Sequence, residues 1–108
     1  MIETRSALAN VDSIATTAGI DALFLGPADL SIALSDGRNV DPAAKEVDDG
    51  LDRILEAAGK ASKIVGAYCP TPERAVALAK RGVKFLAVQS DMTFLRAGAA
   101  AAMKVLKG

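Results

Sequence analysis

The chain has 108 residues, room for one small domain. Thirteen Lys and Arg balance thirteen Asp and Glu, which leaves no basic surplus for nucleic acid or an anionic membrane surface. No apolar run approaches the roughly 20 residues of a membrane span and no signal-peptide pattern opens the chain, so the expectation is a cytoplasmic α/β protein.

A single cysteine, Cys69, excludes an intrachain disulfide and any multi-thiolate metal site. The absence of histidine removes imidazole catalysis and imidazole-held metals from these residues.

Met1-Ile2 reads as the stub of a strand with Glu3-Thr4-Arg5 as its outlet. Residues 6 to 18 read as one helix, with Leu8, Val11, Ile14 and Ala15 on a single face and Gly19 closing it. Asp21 to Leu25 is a short apolar strand, and Pro27 to Leu34 a short helix with proline in its first position. Ser35 to Val40 has turn chemistry. Asp41-Pro42 supplies a cap and a first residue for the next helix, whose stripe is Val47, Leu51, Ile54, Leu55 and Ala58. Gly50 inside it costs about 1 kcal/mol against alanine, which points to close packing there. Ile64 to Tyr68 is the third strand, Thr71-Pro72-Glu73 starts another helix, and Val83 to Val88 is the fourth strand. From Asp91 a last helix carries Leu95, Ala99, Ala102, Met103 and Leu106, a stripe suited to a core or an oligomer contact.

The order β-α-β-α-α-β-α-β-α with near-continuous apolar strands implies a parallel sheet covered by helices. A (β/α)8 TIM barrel takes about 250 residues, so residues 1–108 read as one domain, the C-terminal half of such a barrel, with no second domain. A complete flavodoxin-type domain is the competing architecture. It lacks support because no glycine-rich turn follows a full first strand. Open sheet edges predict that the isolated chain self-associates.

In parallel α/β folds the chemistry sits at the carboxyl ends of the strands. The four outlets here are Glu3, Gly26-Pro27-Ala28-Asp29, Tyr68-Cys69-Pro70 and Gln89-Ser90-Asp91. Glu3 and Asp29, on neighbouring outlets about 4.8 Å apart, are the donor type that Mg²⁺ or Mn²⁺ takes. The competing roles are an ion pair of Glu3 with Arg5 or a lysine, and helix capping by Asp29. Gly26 lets a ligand approach the backbone, and the helix start behind it offers free N–H groups to a carboxylate or phosphate. Cys69 has no base to activate it and reads as a small buried hydrophobe. Tyr68 reads as a pocket wall, Asp91 as a helix cap, and Arg5 and Arg38 as surface or ion-pair residues.

Met1 to Arg5, Gly19 to Ser31 and Phe85 to Asp91 together resemble the metal-dependent pyruvate aldolases of the HpcH/HpaI aldolase/citrate lyase family. The likeness runs along the whole chain but covers only the second half of the family's barrel. It implies a divalent metal cation, Mg²⁺ or Mn²⁺, on Glu3 and Asp29. It also implies a 2-oxo acid chelating that metal, with its carboxylate on the N–H groups of Ala28 and Asp29 beside Gly26 and Pro27. The reaction implied makes or breaks a carbon–carbon bond to an aldehyde through a pyruvate enolate. A CoA-ester lyase of the citrate lyase β type is the neighbouring alternative, and a catalytically silent fragment that pairs its open edges is the other. The resemblance further implies a homo-oligomer for a full-length chain, commonly a hexamer.

Three departures stand out. Met1 occupies the place of a substrate-contacting glutamine found in some members, and Gln89 a place where small residues are common. The family's proton-transferring histidine and enolate-stabilising arginine belong to the first half, so no catalytic acid or base is expected among these residues.

Overall fold

The computed structural model describes all 108 residues. Its elements in chain order are α1 (Arg5–Ala9), α2 (Val11–Ala15), β1 (Ala22–Leu25), α3 (Pro27–Leu34), α4 (Lys45–Lys60), β2 (Ile64–Cys69), α5 (Pro72–Lys80), β3 (Phe85–Val88) and α6 (Asp91–Lys107). The three strands form one parallel sheet in the order β1-β2-β3. Ile2 extends it by one bridge to Leu25. The first of the four expected strands is thus reduced to a single residue pair, because two residues before the turn cannot sustain a ladder.

Alternation along the strands sends Leu23, Leu25, Val65, Ala67 and Cys69 to one face, where all are buried. Helix α4 lies over β1 and β2, and α5 over β2 and β3. Val47, Leu51, Ile54 and Ala58 of α4 and Leu78 of α5 complete the core. Gly50 keeps the packing close here: a Cβ there would stand 3.3 Å from both Leu30 Cδ2 and Leu8 Cδ2.

The opposite sheet face has no helical cover. Phe24 and Phe85 meet edge to face across it, ring centroids 5.5 Å apart. Phe85 is 57% exposed and Ile64 46%. Helices on one side of a parallel sheet and apolar side chains left open on the other are the layers of a partial (β/α) barrel.

Four local expectations are corrected. The helix expected over 6 to 18 is two short helices broken at Asn10, whose side-chain amide donates to Ser6 O (2.9 Å). Asp41-Pro42 does not open α4. Asp41 Oδ1 accepts from Ala43 N–H (3.0 Å), closing a separate turn, and the helix starts at Lys45. The cap of α6 is Ser90, which accepts from Thr93 N–H (3.3 Å), while Asp91 is the helix's first residue. Of the two uses expected for the α6 stripe, core and oligomer contact, the core is excluded, since no residue of that helix is buried.

Gln89, just past β3, has φ +60° and donates its N–H to Cys69 O (2.9 Å). A side chain in the left-handed region costs about 1 kcal/mol or more. Gln89→Gly is therefore expected to stabilise the fold by about 1 kcal/mol, read as a higher midpoint in urea. An unchanged midpoint would show that the turn is unstrained.

Candidate functional site

The site is assembled around the outlet of β1. Ile2 N–H donates to Phe24 O (2.7 Å), and Gly26 N–H to Ile2 O (3.2 Å). These two bonds carry Glu3 alongside Gly26. A Cβ on Gly26 would stand 2.8 Å from Glu3 Oε2 and 3.1 Å from Glu3 Cβ, so glycine is what lets this carboxylate lie against the backbone.

Gly26 is also the residue from which α3 starts, and no side chain caps that start. Leu30 N–H donates to Gly26 O (2.9 Å), whereas the N–H groups of Ala28 and Asp29 donate to no backbone group outside the helix. Two donors and the positive end of the helix thus face outward beside Glu3. Asp29, exposed, stands on this first turn.

Both competing roles for the carboxylates fail. Arg5 Nη2 donates to Ala33 O and Leu34 O (3.0 Å each) and to Asp36 Oδ1 (3.1 Å), so it is spent on the C-terminal end of α3. Neither Glu3 nor Asp29 takes part in any of the ion pairs or side-chain hydrogen bonds of the chain. Glu3 and Asp29 are thus two unpaired carboxylates, and no cluster of three His, Cys, Asp or Glu forms anywhere. Carboxylate oxygens are the donor type that hard divalent cations such as Mg²⁺ or Mn²⁺ take.

Ser31 is the residue that sequence reasoning missed in this neighbourhood. It is 4% exposed; its hydroxyl donates to Ala28 O (2.6 Å) and accepts from Asp41 N–H (3.0 Å). One hydroxyl thereby fixes the first turn of α3 to the loop ahead of α4. A serine as the fifth residue of a helix is the only sequence signal for such a bond.

Between the outlets of β1 and β2 lies a cavity of about 190 Å³, lined by Leu25, Pro27, Tyr68 and Arg74 among others. A larger groove of about 660 Å³ runs between the end of α3 and the start of α4 and includes neither Glu3 nor Asp29. Cys69 is fully buried, and burial pushes its thiol up while Arg74 pulls more weakly the other way. It is a packing residue, not a nucleophile.

An ion network links α4 to α5 behind the cavity. Asp48 Oδ1 accepts from Arg74 Nη2 and, at 3.1 Å, from Arg81 Nη1, and Arg81 Nη2 reaches Asp52 Oδ1 (2.8 Å). Partial burial pushes the Asp48 carboxyl up, but hydrogen bonds from the two guanidinium groups outweigh it and hold the group below its usual value. A depressed carboxyl contributes stability that is whole above about pH 4, the unfolded value, and is lost as pH falls through the folded value. Asp48→Asn should cost about 1–2 kcal/mol at pH 7, allowing for a carboxylate still about a third exposed. Urea titrations should show the difference from the parent chain shrinking below pH 4. A difference constant with pH would place its origin outside the carboxylate.

Known proteins resemble this chain along most of its length. Residues 1–97 match the family model described as HpcH/HpaI aldolase/citrate lyase. A hydroxypyruvate/pyruvate aldolase of Rhizorhabdus wittichii is 38% identical over 99 residues, covering 92% of this chain and 39% of the relative. A 4-hydroxy-2-oxo-heptane-1,7-dioate aldolase of Salmonella paratyphi C is 41% identical over 103 residues, covering 93% and 37%. The crystal structure of an HpcH/HpaI aldolase/citrate lyase family protein from Burkholderia cenocepacia superposes with a TM-score of 0.89 at 28% identity, over 99% of this chain and 41% of that one. The chain spans about two-fifths of the length of the curated relatives it matches. With the family's sequence pattern along residues 1–97 and the fold shared over nearly every residue, this chain belongs to the HpcH/HpaI aldolase/citrate lyase family.

Proposed function

We propose that these residues are the metal- and oxo-acid-binding part of a class II pyruvate aldolase, a carbon–carbon lyase acting on hydroxy-2-oxo acids. The single observation that carries the reading is the Glu3 carboxylate lying free against Gly26, beside a helix start whose N–H groups lack acceptors.

In this reading Glu3 and Asp29 hold the divalent cation through their carboxylate oxygens. The Ala28 and Asp29 N–H groups receive the carboxylate of the 2-oxo acid, and the dipole of α3 favours its charge. Gly26 keeps the approach open, and Pro27 stiffens it at the first helical position. When bound, the ion supplies Lewis-acid polarisation of the keto oxygen, which makes the adjoining carbon–carbon bond easier to break or form. The chain's own residues bind and orient. The proton-transfer histidine and the arginine that the family resemblance implies lie outside these 108 residues, so the chain alone is expected to show no turnover above background.

The test is pyruvate release from a hydroxy-2-oxo acid by a full barrel carrying this chain, before and after chelation. Loss of turnover on chelation and recovery with Mg²⁺ or Mn²⁺ is the expected result. Turnover indifferent to chelation would overturn the reading.

A further inference from the structure

The segment that carries Glu3 is tied to α3 at two points. At the helix start, Gly26 N–H donates to Ile2 O (3.2 Å). At the helix end, Arg5 Nη2 donates to Ala33 O and Leu34 O (3.0 Å each) and to Asp36 Oδ1 (3.1 Å). Glu3 lies between the two ties along the chain, and Asp29 stands on the helix they hold.

Local structure fixes the point from which Arg5 reaches out. Thr4 Oγ1 accepts from Ala7 N–H (3.0 Å) and caps α1, whose first residue is Arg5. The guanidinium is thus delivered from two residues past Glu3 to the negative end of the α3 dipole, where a cation is favoured.

Helix α3 needs this grip. Eight residues are too few for a helix to sustain itself. Its buried residues, Pro27, Leu30 and Ser31, all fall within its first five, so packing holds the start and leaves the last turn to Arg5. In an α-helix each N–H pairs with the carbonyl four residues back, which makes Ala33 the partner of Asp29. A last turn that unwinds therefore releases the backbone of Asp29 itself.

We propose that Arg5 is a positioning residue for the metal site: by gripping the last turn of α3 it fixes the Asp29 carboxylate relative to Glu3. It touches neither ion nor substrate, and the role rests on the reading of Glu3 and Asp29 as the metal ligands. The grip runs through the two carbonyls. The pair with Asp36 is exposed on both sides, 58% and 72%, and such pairs contribute little.

Mn²⁺ binding to a full barrel carrying this chain is read from the electron paramagnetic resonance signal of the free ion, which requires no turnover. Arg5→Gln should weaken binding about tenfold, the lower end of what loosening the supports of metal ligands costs. Arg5→Lys keeps a cation but cannot fork across two carbonyls, and should fall between that variant and the parent. Asp36→Asn, which removes only the exposed pair, should bind as the parent does. In turnover, the loss in Arg5→Gln should appear as a higher Mn²⁺ concentration for half-activation and not in kcat. A variant that was merely less well folded would lose kcat and keep that midpoint. Parent-like Mn²⁺ affinity in Arg5→Gln would overturn the proposal, and so would an equal loss in Asp36→Asn. Should Arg5→Gln fail to fold, Arg5→Lys decides, and parent-like binding there would overturn it as well. Binding lost in Glu3→Gln but kept in Arg5→Gln would retain the metal site and remove the clamp. Binding indifferent to Glu3→Gln would sink both.

Discussion

Glu3→Gln and Asp29→Asn, each placed in a full barrel, are expected to abolish metal-dependent turnover while leaving the fold intact. Both amides preserve shape and remove the charge that a hard divalent cation needs. Little else should change, because neither carboxylate supports the structure: Glu3 lies free against Gly26, and Asp29 neither caps α3 nor pairs with a base. Stability should shift by no more than about 0.5 kcal/mol, as for a surface site. Asp91→Asn is the control, since Ser90 and not Asp91 caps α6. Turnover is measured against added Mg²⁺ or Mn²⁺, with circular dichroism to establish folding. Near-normal turnover with unchanged metal dependence in either variant would remove that carboxylate from the site.

Gly66→Ala should be among the most damaging single-methyl additions in the molecule. The new Cβ would stand 2.7 Å from Phe24 Cδ2, 3.0 Å from Phe85 Cδ1 and 3.0 Å from Phe85 O. The rings can swing away on the open face, but the carbonyl belongs to the β2–β3 ladder, where Gly66 is paired with Phe85. Overpacking against backbone typically costs about 1–3 kcal/mol. Adding Phe24→Leu should relieve only the part due to that ring. Urea unfolding of the two variants separates the contributions, and a neutral Gly66→Ala would mean that the strands can part without loss.

How far the sequence could be read depended on the range of the interaction. Pro27 and Thr71-Pro72 announce α3 and α5 because the signal is local: a residue that favours the first turn and a hydroxyl that caps it. The same grammar misleads at Asp41-Pro42, where the aspartate closes its own turn through Ala43. The α4 stripe is legible as periodicity, and its buried residues follow from it. The partners of Arg5, Arg74 and Arg81 are not legible. They lie 26 to 33 residues away, and no local pattern records which carbonyl or carboxylate a guanidinium will meet. In the site, residue types and strand-end positions could be read directly. The approach of Glu3 to Gly26, which depends on two hydrogen bonds to Ile2, could not.

Helix α6 has a consequence for how the molecule unfolds. It buries no residue, so its helicity rests on what its own 17 residues supply. These are an aspartate in the first turn, an alanine tract and lysines near the last turn, with Ser90 as the cap ahead of them. Such a segment frays and reforms on the microsecond timescale of an isolated peptide. Its helix–coil equilibrium is therefore uncoupled from the cooperative transition of the sheet and α4. A helical signal would decline gradually on heating before the core gives way, so far-ultraviolet melts and core-reporting probes should disagree on the midpoint of one and the same chain.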